Sequence, residues 1–296
     1  MMKKFTALFA VLLFFSACDV FEFRGFVLPY ETVDERFEQS MAWNAEHPYT
    51  SVHVPQDGYT LFVMGDTHTG DTVNLNLFLD EAAETGAAGA VMAGDLTTGN
   101  DADFYTFYRQ LPPEDSLYTF PLAGNHDLYF HGWEQYYELF GSSIYLFTVH
   151  TPNDSDLYVC LDSGAGTLGR KQIAWLKTLL ETQRPAYRYC ILFSHSNFFR
   201  IRRMTATNPY VEELQLLNEL CLRHEVNMVI AGHDHVKNTA SLGNTEFLIL
   251  DALKDGDRNA GYLILTAGAD TFPMNSSTCS KRERGVIREI GVSFFP

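Results

Sequence analysis

Residues 228–235 read MVIAGHDH: four side chains suited to burial, a glycine, and two histidines flanking an aspartate. The first half has the character of a short strand buried on both faces, and the second gathers groups that bind protons or metal ions. Polar groups of this kind at the end of an apolar strand imply a site there. The same arrangement recurs at LFVMGDTH (61–68), AVMAGD (90–95), FPLAGNHD (120–127) and CILFSH (190–195). In an open α/β sheet the loops leaving the carboxyl ends of the strands meet in one crevice. Five strands would therefore deliver Asp66, His68, Asp95, Asn125, His126, His195, His233 and His235 to one place. The glycines before these residues are expected to let the backbone turn sharply beneath the site.

Between the apolar runs lie segments with helical spacing. In GRKQIAWLKTLLETQ, Ile173, Leu176 and Leu180 share a face. In NPYVEELQLLNELCLRHE, Asn208 suits an N-cap, Pro209 the first helical position, and Leu214, Leu217 and Cys221 a buried face. The segment 72–85 alternates like a strand in VNLNLFL, but its place between two buried runs favours a helix. Strands buried on both faces and separated by helices give an α/β fold. The later runs, from YLFTV onward, leave too little chain between some strands for a helix, which points to a second, mixed sheet packed on the first.

The five motifs together closely resemble those of the calcineurin-like metallophosphoesterases, over about residues 59–236. The resemblance implies a four-layer α/β/β/α sandwich of two mixed sheets flanked by helices, with two metal ions. Carried over by position, Asp66, His68, Asp95 and His235 would hold one ion and Asp95, Asn125, His195 and His233 the other. Asp95 would bridge them, and His126 would stand beside them as the catalytic acid. Carboxylate, amide and imidazole ligands without thiolate suit Mn, Fe or Zn. Two such ions about 3.5–4 Å apart can activate a hydroxide for in-line attack at phosphorus and clamp the leaving oxygen. The implied function is hydrolysis of a small phosphoric ester, monoester or diester. The alternative is a lipoprotein that keeps the metals and binds a phosphate ligand without turnover. Two departures stand out: Thr98 and Gly99 occupy positions where the family's protein phosphatases carry Asp and Arg, and Thr98 stands where its purple acid phosphatases carry Tyr. Arg200, Arg202 and Arg203, shortly after His195, are candidate replacements for the missing phosphate clamp. The aromatic-rich LYFHGWEQYY (128–137) fits either a lid near the metals or ordinary core packing, and His131 within it is a further candidate for the site.

Composition bounds the rest. The 296 residues are 46% hydrophobic, enough for one large domain, assigned here to 59–296. Lys3 and Lys4, the apolar run 5–15 and the small residues Ser16 and Ala17 form a signal peptide over 1–17. Cys18 closes it as the lipid-bearing cysteine of a bacterial lipoprotein would, although Phe15 stands where Leu is usual. Export to the cell envelope and membrane attachment through that anchor follow as expectations. Residues 18–58, with Pro29, Pro48, Pro55 and Gly58, read as a tether and irregular lead-in. Removing the signal deepens the net charge from −16 to −18, which argues against long nucleic acid as a partner. Cys160 and Cys190 lie within apolar runs and read as buried free thiols.

Overall fold

The computed structural model describes residues 31–199, 211–268 and 288–293. The signal 1–17, Cys18, the three candidate arginines, Asn208, Pro209 and Cys279 lie outside the described residues. Two sheets form the centre. One has seven strands in the order β1 (Ser51–His53), β5 (Tyr145–His150), β6 (Ser155–Leu161), β7 (Cys190–Ser194), β8 (Met228–Ala231), β10 (Thr245–Ile249) and β9 (Asn238–Leu242). The other runs β12 (Arg288–Ser293), β11 (Gly261–Ala267), β2 (Tyr59–Met64), β3 (Gly89–Ala93) and β4 (Thr119–Leu122). Both are mixed. β2, β3 and β4 are parallel, as are β6, β7, β8 and β10, while β5, β9 and β11 join antiparallel to β6, β10 and β2.

Alternation along each strand divides the core into three layers of contact. Between the sheets pack Leu61, Val63 and Val91 from one side and Phe147, Tyr158 and Phe193 from the other. Phe120 and Phe147 stack across this space with ring centroids 3.7 Å apart. Burying one such ring contributes about 1.5–3 kcal/mol. Phe62, Met64 and Met92 face outward onto α2 (Val73–Glu84), α3 (Asp101–Tyr108) and α4 (Gly132–Phe140). On the opposite side, Leu157, Val159 and Leu192 meet α5 (Gly169–Thr182) and α6 (Val211–Arg223). Helix, sheet, sheet and helix are thus the four layers.

The ambiguous segment is a helix: Leu75, Phe78, Leu79 and Ala82 are its buried residues, at helical spacing, together with Asn74. The apparent alternation arises because Asn74 is buried too, its amide donating to the carbonyls of Leu253 and Lys254. In α5, Leu176 and Leu180 are buried as expected, with Ile173 at the rim of the face. Cys160, Cys190 and Cys221 are buried free thiols.

The lead-in, however, is not irregular. It forms a helix, α1 (Val33–Glu46), closed at its start by a reciprocal capping box between Thr32 and Glu35. Arg36, fully buried, pairs with Asp162 through Nε–Oδ2 at 2.7 Å and Nη2–Oδ1 at 3.2 Å. Its guanidinium lies over the Trp133 ring, 5.7 Å from the centroid. Its two buried residues, Arg36 and Ser40, are polar, while the apolar Val33, Phe37 and Met41, spaced by four, are half-buried.

Candidate metal centre

The polar ends of β2, β3, β4, β7 and β8 converge. Backbone bonds hold the first two loops side by side: Asp66 N donates to Gly94 O, His68 N to Asp95 O and Thr69 N to Leu96 O, each at 3.0 Å. The turns at these ends are made differently from the expectation. Of Gly65, Gly94, Gly124 and Gly232, only Gly94 is left-handed, with φ 84°. The other left-handed residues are the chemical groups themselves: Asp66 (57°), His68 (42°), Asp95 (52°), His233 (72°) and His235 (56°). Each such non-glycine residue costs on the order of 1–3 kcal/mol, which the surrounding structure must offset. Gly124 and Gly232 serve close approach instead. A Cβ on Gly124 would lie 2.2 Å from Asp95 Oδ1, and one on Gly232 would lie 2.5 Å from Asp66 Oδ2.

Two groups of ligand atoms result, each with its atoms within 4.8 Å of one another: Asp66, His68, Asp95 and His235, and Asp95, His195 and His233. Asp95 belongs to both. Asn125 joins the second, its Oδ1 lying 3.0 Å from both His195 Nε2 and His233 Nδ1.

The hydrogen-bond directions show what these groups accept. His195 Nδ1 lies 3.0 Å from the Ala93 carbonyl, which can only accept, so Nδ1 carries a proton and any lone pair the ring offers is on Nε2, facing inward. That nitrogen faces Asn125 Oδ1 at 3.0 Å and Asp95 Oδ2 at 3.3 Å, both acceptors. In the other group, His68 Nε2 and His235 Nε2 meet at 3.1 Å, and His235 Nε2 lies 3.3 Å from Asp66 Oδ1. A proton on His195 or His235 satisfies these contacts in the metal-free chain, and a metal ion among the same atoms would do so in its place.

The titration shifts express the same demand. Burial would lower the His195 imidazole, but the Asp95 and Asp66 carboxylates push it up to about 10, so in the metal-free chain its Nε2 holds a proton that a metal ion would displace. Burial would raise Asp95, yet His195 and His126 hold it well below the usual carboxylate range. Burial takes His68 down to about 4 against the pull of Asp95, so that ring stays neutral with a lone pair to offer. This donor set fits two divalent ions of the Mn, Fe or Zn type, with Asp95 available to both.

The family model for calcineurin-like phosphoesterases matches residues 59–237. The chain belongs to that family. No curated protein gives a significant match to the sequence. Among solved structures, a dimetal phosphatase from Danio rerio superposes with a TM-score of 0.54 at 14% identity, covering 66% of this chain and 88% of its own. GAP50, the anchor in the inner membrane complex of Plasmodium, gives 0.53 at 12% identity, covering 72% and 82%. One neighbour is named as a phosphatase and the other as an anchor, so at this identity the likeness speaks for the fold alone.

Around the ligands of this phosphoesterase stand residues with other tasks. His126 is outside both ligand groups. Its backbone N–H donates to Asp95 Oδ1 at 2.8 Å, and its Nε2 is 4.0 Å from Asp95 Oδ2. The side chain keeps 32% exposure, so it borders both the cluster and solvent. Asp127, buried, does not touch that imidazole. Its carboxylate accepts from the backbone N–H groups of Leu96, Thr97 and Gly124 and from the Thr97 hydroxyl, fastening the Asp95 loop to the Asn125 loop. Burial and the nearby Asp95 charge push its carboxyl up to about 7 despite those bonds.

Gly99 cannot be exchanged simply for the missing arginine. Its φ is +90°, and a Cβ there would lie 2.6 Å from the His126 carbonyl and 2.7 Å from Tyr129 Cβ. Thr98 is engaged with Asp103 and Asn100. In LYFHGWEQYY the core reading holds for Trp133 and Tyr136, and Tyr129 reaches the site by accepting from Asn125 Nδ2. His131 is exposed and belongs to neither ligand group, and the half-buried Asp234 is likewise outside both.

Proposed function

We propose that this chain hydrolyses small phosphoric esters with two divalent metal ions held by the two ligand groups. The sharing of Asp95 between two sets of inward-facing ligand atoms is the observation that carries this reading. When bound, ions of this class polarise a phosphoryl oxygen and lower the pKa of a water enough to supply hydroxide near neutrality. The chain's own contributions are distinct from that. Asp66 and Asp95 supply the negative charge that retains the cations, and the backbone bonds between their loops keep the two carboxylates in place. His195 is held in its ligand tautomer by the Ala93 carbonyl. His126, at the solvent border of the cluster, is placed to give a proton to the departing alkoxide.

A general acid so placed typically contributes about 10²–10⁴ in rate. His126→Asn is therefore expected to lower kcat by that order with both metals retained. The loss should be smaller for nitrophenyl phosphates, whose leaving group needs little protonation. Para-nitrophenyl phosphate and its bis ester, each assayed with Mn, Zn or chelator, separate a monoesterase from a diesterase. Tight metal binding with no hydrolysis of either ester or of an alkyl phosphate would instead favour the non-catalytic binding protein.

A further inference from the structure

We infer that Tyr129 is a positioning residue for the metal ligand Asn125, and that its hydroxyl rather than its ring performs that task. The inference rests on the metal-binding reading of the site. An asparagine can hold a metal only through its amide oxygen, and Asn125 turns Oδ1 toward His195 Nε2 and His233 Nδ1. The other half of the amide, the NH₂ group, then points away from the cluster into a buried environment and needs an acceptor. The Tyr129 hydroxyl oxygen is that acceptor, 3.1 Å from Asn125 Nδ2. It is the counterpart, on the amide, of the Ala93 carbonyl that fixes His195.

The local backbone is shaped around this contact. Asn125 to Leu128 form a tight turn, closed by Leu128 N donating to Asn125 O at 3.2 Å. At Tyr129 the chain becomes extended, with φ −69° and ψ 151°, which interrupts the helix at that residue. Phe130 and His131 follow in the left-handed region, at φ 54° and 67°, before α4 begins. Two consecutive strained residues, both of them exposed, are poorly explained by core packing. They are explained if the detour exists to fold the Tyr129 ring back beside the site. Gly99 supports the same conclusion, because any side chain there would strike Tyr129 Cβ. The ring also lies against His126, with centroids 4.6 Å apart, so the residue touches both a ligand and the proposed acid.

Removing the hydroxyl alone would leave a buried N–H without a partner whenever Asn125 binds metal, or let the amide turn over. Loss of an outer partner of this kind typically weakens metal affinity 10–100-fold. The test is calorimetric titration of Mn²⁺ and of Zn²⁺ into metal-free wild type, Tyr129→Phe, Asn125→Ala and the double variant. In Tyr129→Phe the ion held with Asn125 should bind 10–100-fold more weakly, and the ion held by Asp66, His68 and His235 should keep its affinity. In the Asn125→Ala background, Tyr129→Phe should cause no further loss. Wild-type affinity at both sites in Tyr129→Phe would overturn the inference, and so would equal weakening of both sites or an undiminished effect without Asn125. A wild-type chain that binds no second ion would overturn the two-metal reading itself, a result distinct from all of these.

Discussion

The two ends of the sandwich carry opposite solutions to the problem of a buried carboxylate. At the start of β6, Asp156 is fully buried and fully supplied. It accepts from Arg188 at 3.1 and 2.6 Å, from the Tyr59 hydroxyl at 2.7 Å and from Tyr189 N at 3.1 Å. At the other end, Asp66 and Asp95 are equally buried, but beyond the backbone N–H groups of His233 and His126 their neighbours are largely imidazoles and each other. Burying a charge without a partner costs several kcal/mol. Asp156 finds its cation in a guanidinium that is always charged, whereas Asp66 and Asp95 face imidazoles, which can hold either a proton or a metal ion. The contrast marks one end as architecture and the other as a site.

Substitution at the two ends should therefore separate function from stability. The largest effect is expected from Asp95→Asn. It weakens both metal positions, and losing several kcal/mol of charge stabilisation at each would lower kcat/KM by about 10⁴-fold or more. The metal-free variant should also be less stable than metal-free wild type, because it loses a carboxylate charge that His195 and His126 favour strongly in the folded chain. Full activity with two ions still bound would show that Asp95 does not bridge.

Asp156→Asn should cost stability alone. Leaving a partner unpaired in a buried ion pair costs about 3–5 kcal/mol. Asp154, 3.1 Å from Arg188 Nη1, should hold the loss to the lower part of that range. Denaturant unfolding of the metal-free proteins measures it, and metal stoichiometry should not change. A variant that loses metal without losing stability would break the contrast.

The smallest expected effect concerns His150, also at the end of the strands away from the metals. Its ring bonds Thr148 and Ser155 and stacks on His53, 4.8 Å away. Burial and His53 hold the imidazole below its ordinary 6.5, with Asp156 opposing. A histidine depressed in the folded state adds stability that is present above its unfolded pKa and is lost as the pH falls below it. His150→Gln should therefore flatten the fall in stability below pH 6.5, measured on the metal-loaded protein against wild type. An unchanged slope would show that this pair is not sensed by folding.

Much of the site was legible because it combines two local signals, an apolar run and a group that binds cations. Asp66, His68, Asp95, Asn125, His195, His233 and His235 could each be picked out from immediate neighbours in sequence. In the sequence Asp127 is only the residue that closes FPLAGNHD, and nothing local shows that it joins Leu96, Thr97 and Gly124. Tyr129 lay in an aromatic stretch whose members divide between core and site, and composition does not tell them apart. α1 left both a capping signal in Thr32 and Glu35 and an apolar repeat at Val33, Phe37 and Met41, which the surrounding prolines and glycine outweighed in the reading of this stretch as irregular.

By itself the sequence determined the alternation of buried strands and helices, the residue types carried to the strand ends, and the family those motifs resemble. Period-2 and period-3.6 patterns, and the change from apolar to polar at a strand end, are properties of adjacent residues. The tertiary structure alone decided which imidazoles face which carboxylates, that Nδ1 of His195 bears a proton, and that the candidate ligands rather than most of their glycines take the left-handed turns. It also decided that Arg36 finds its partner in Asp162, 126 residues away. Each of these depends on groups that meet only after the two sheets close on one another, and electrostatic need is set by those neighbours in space.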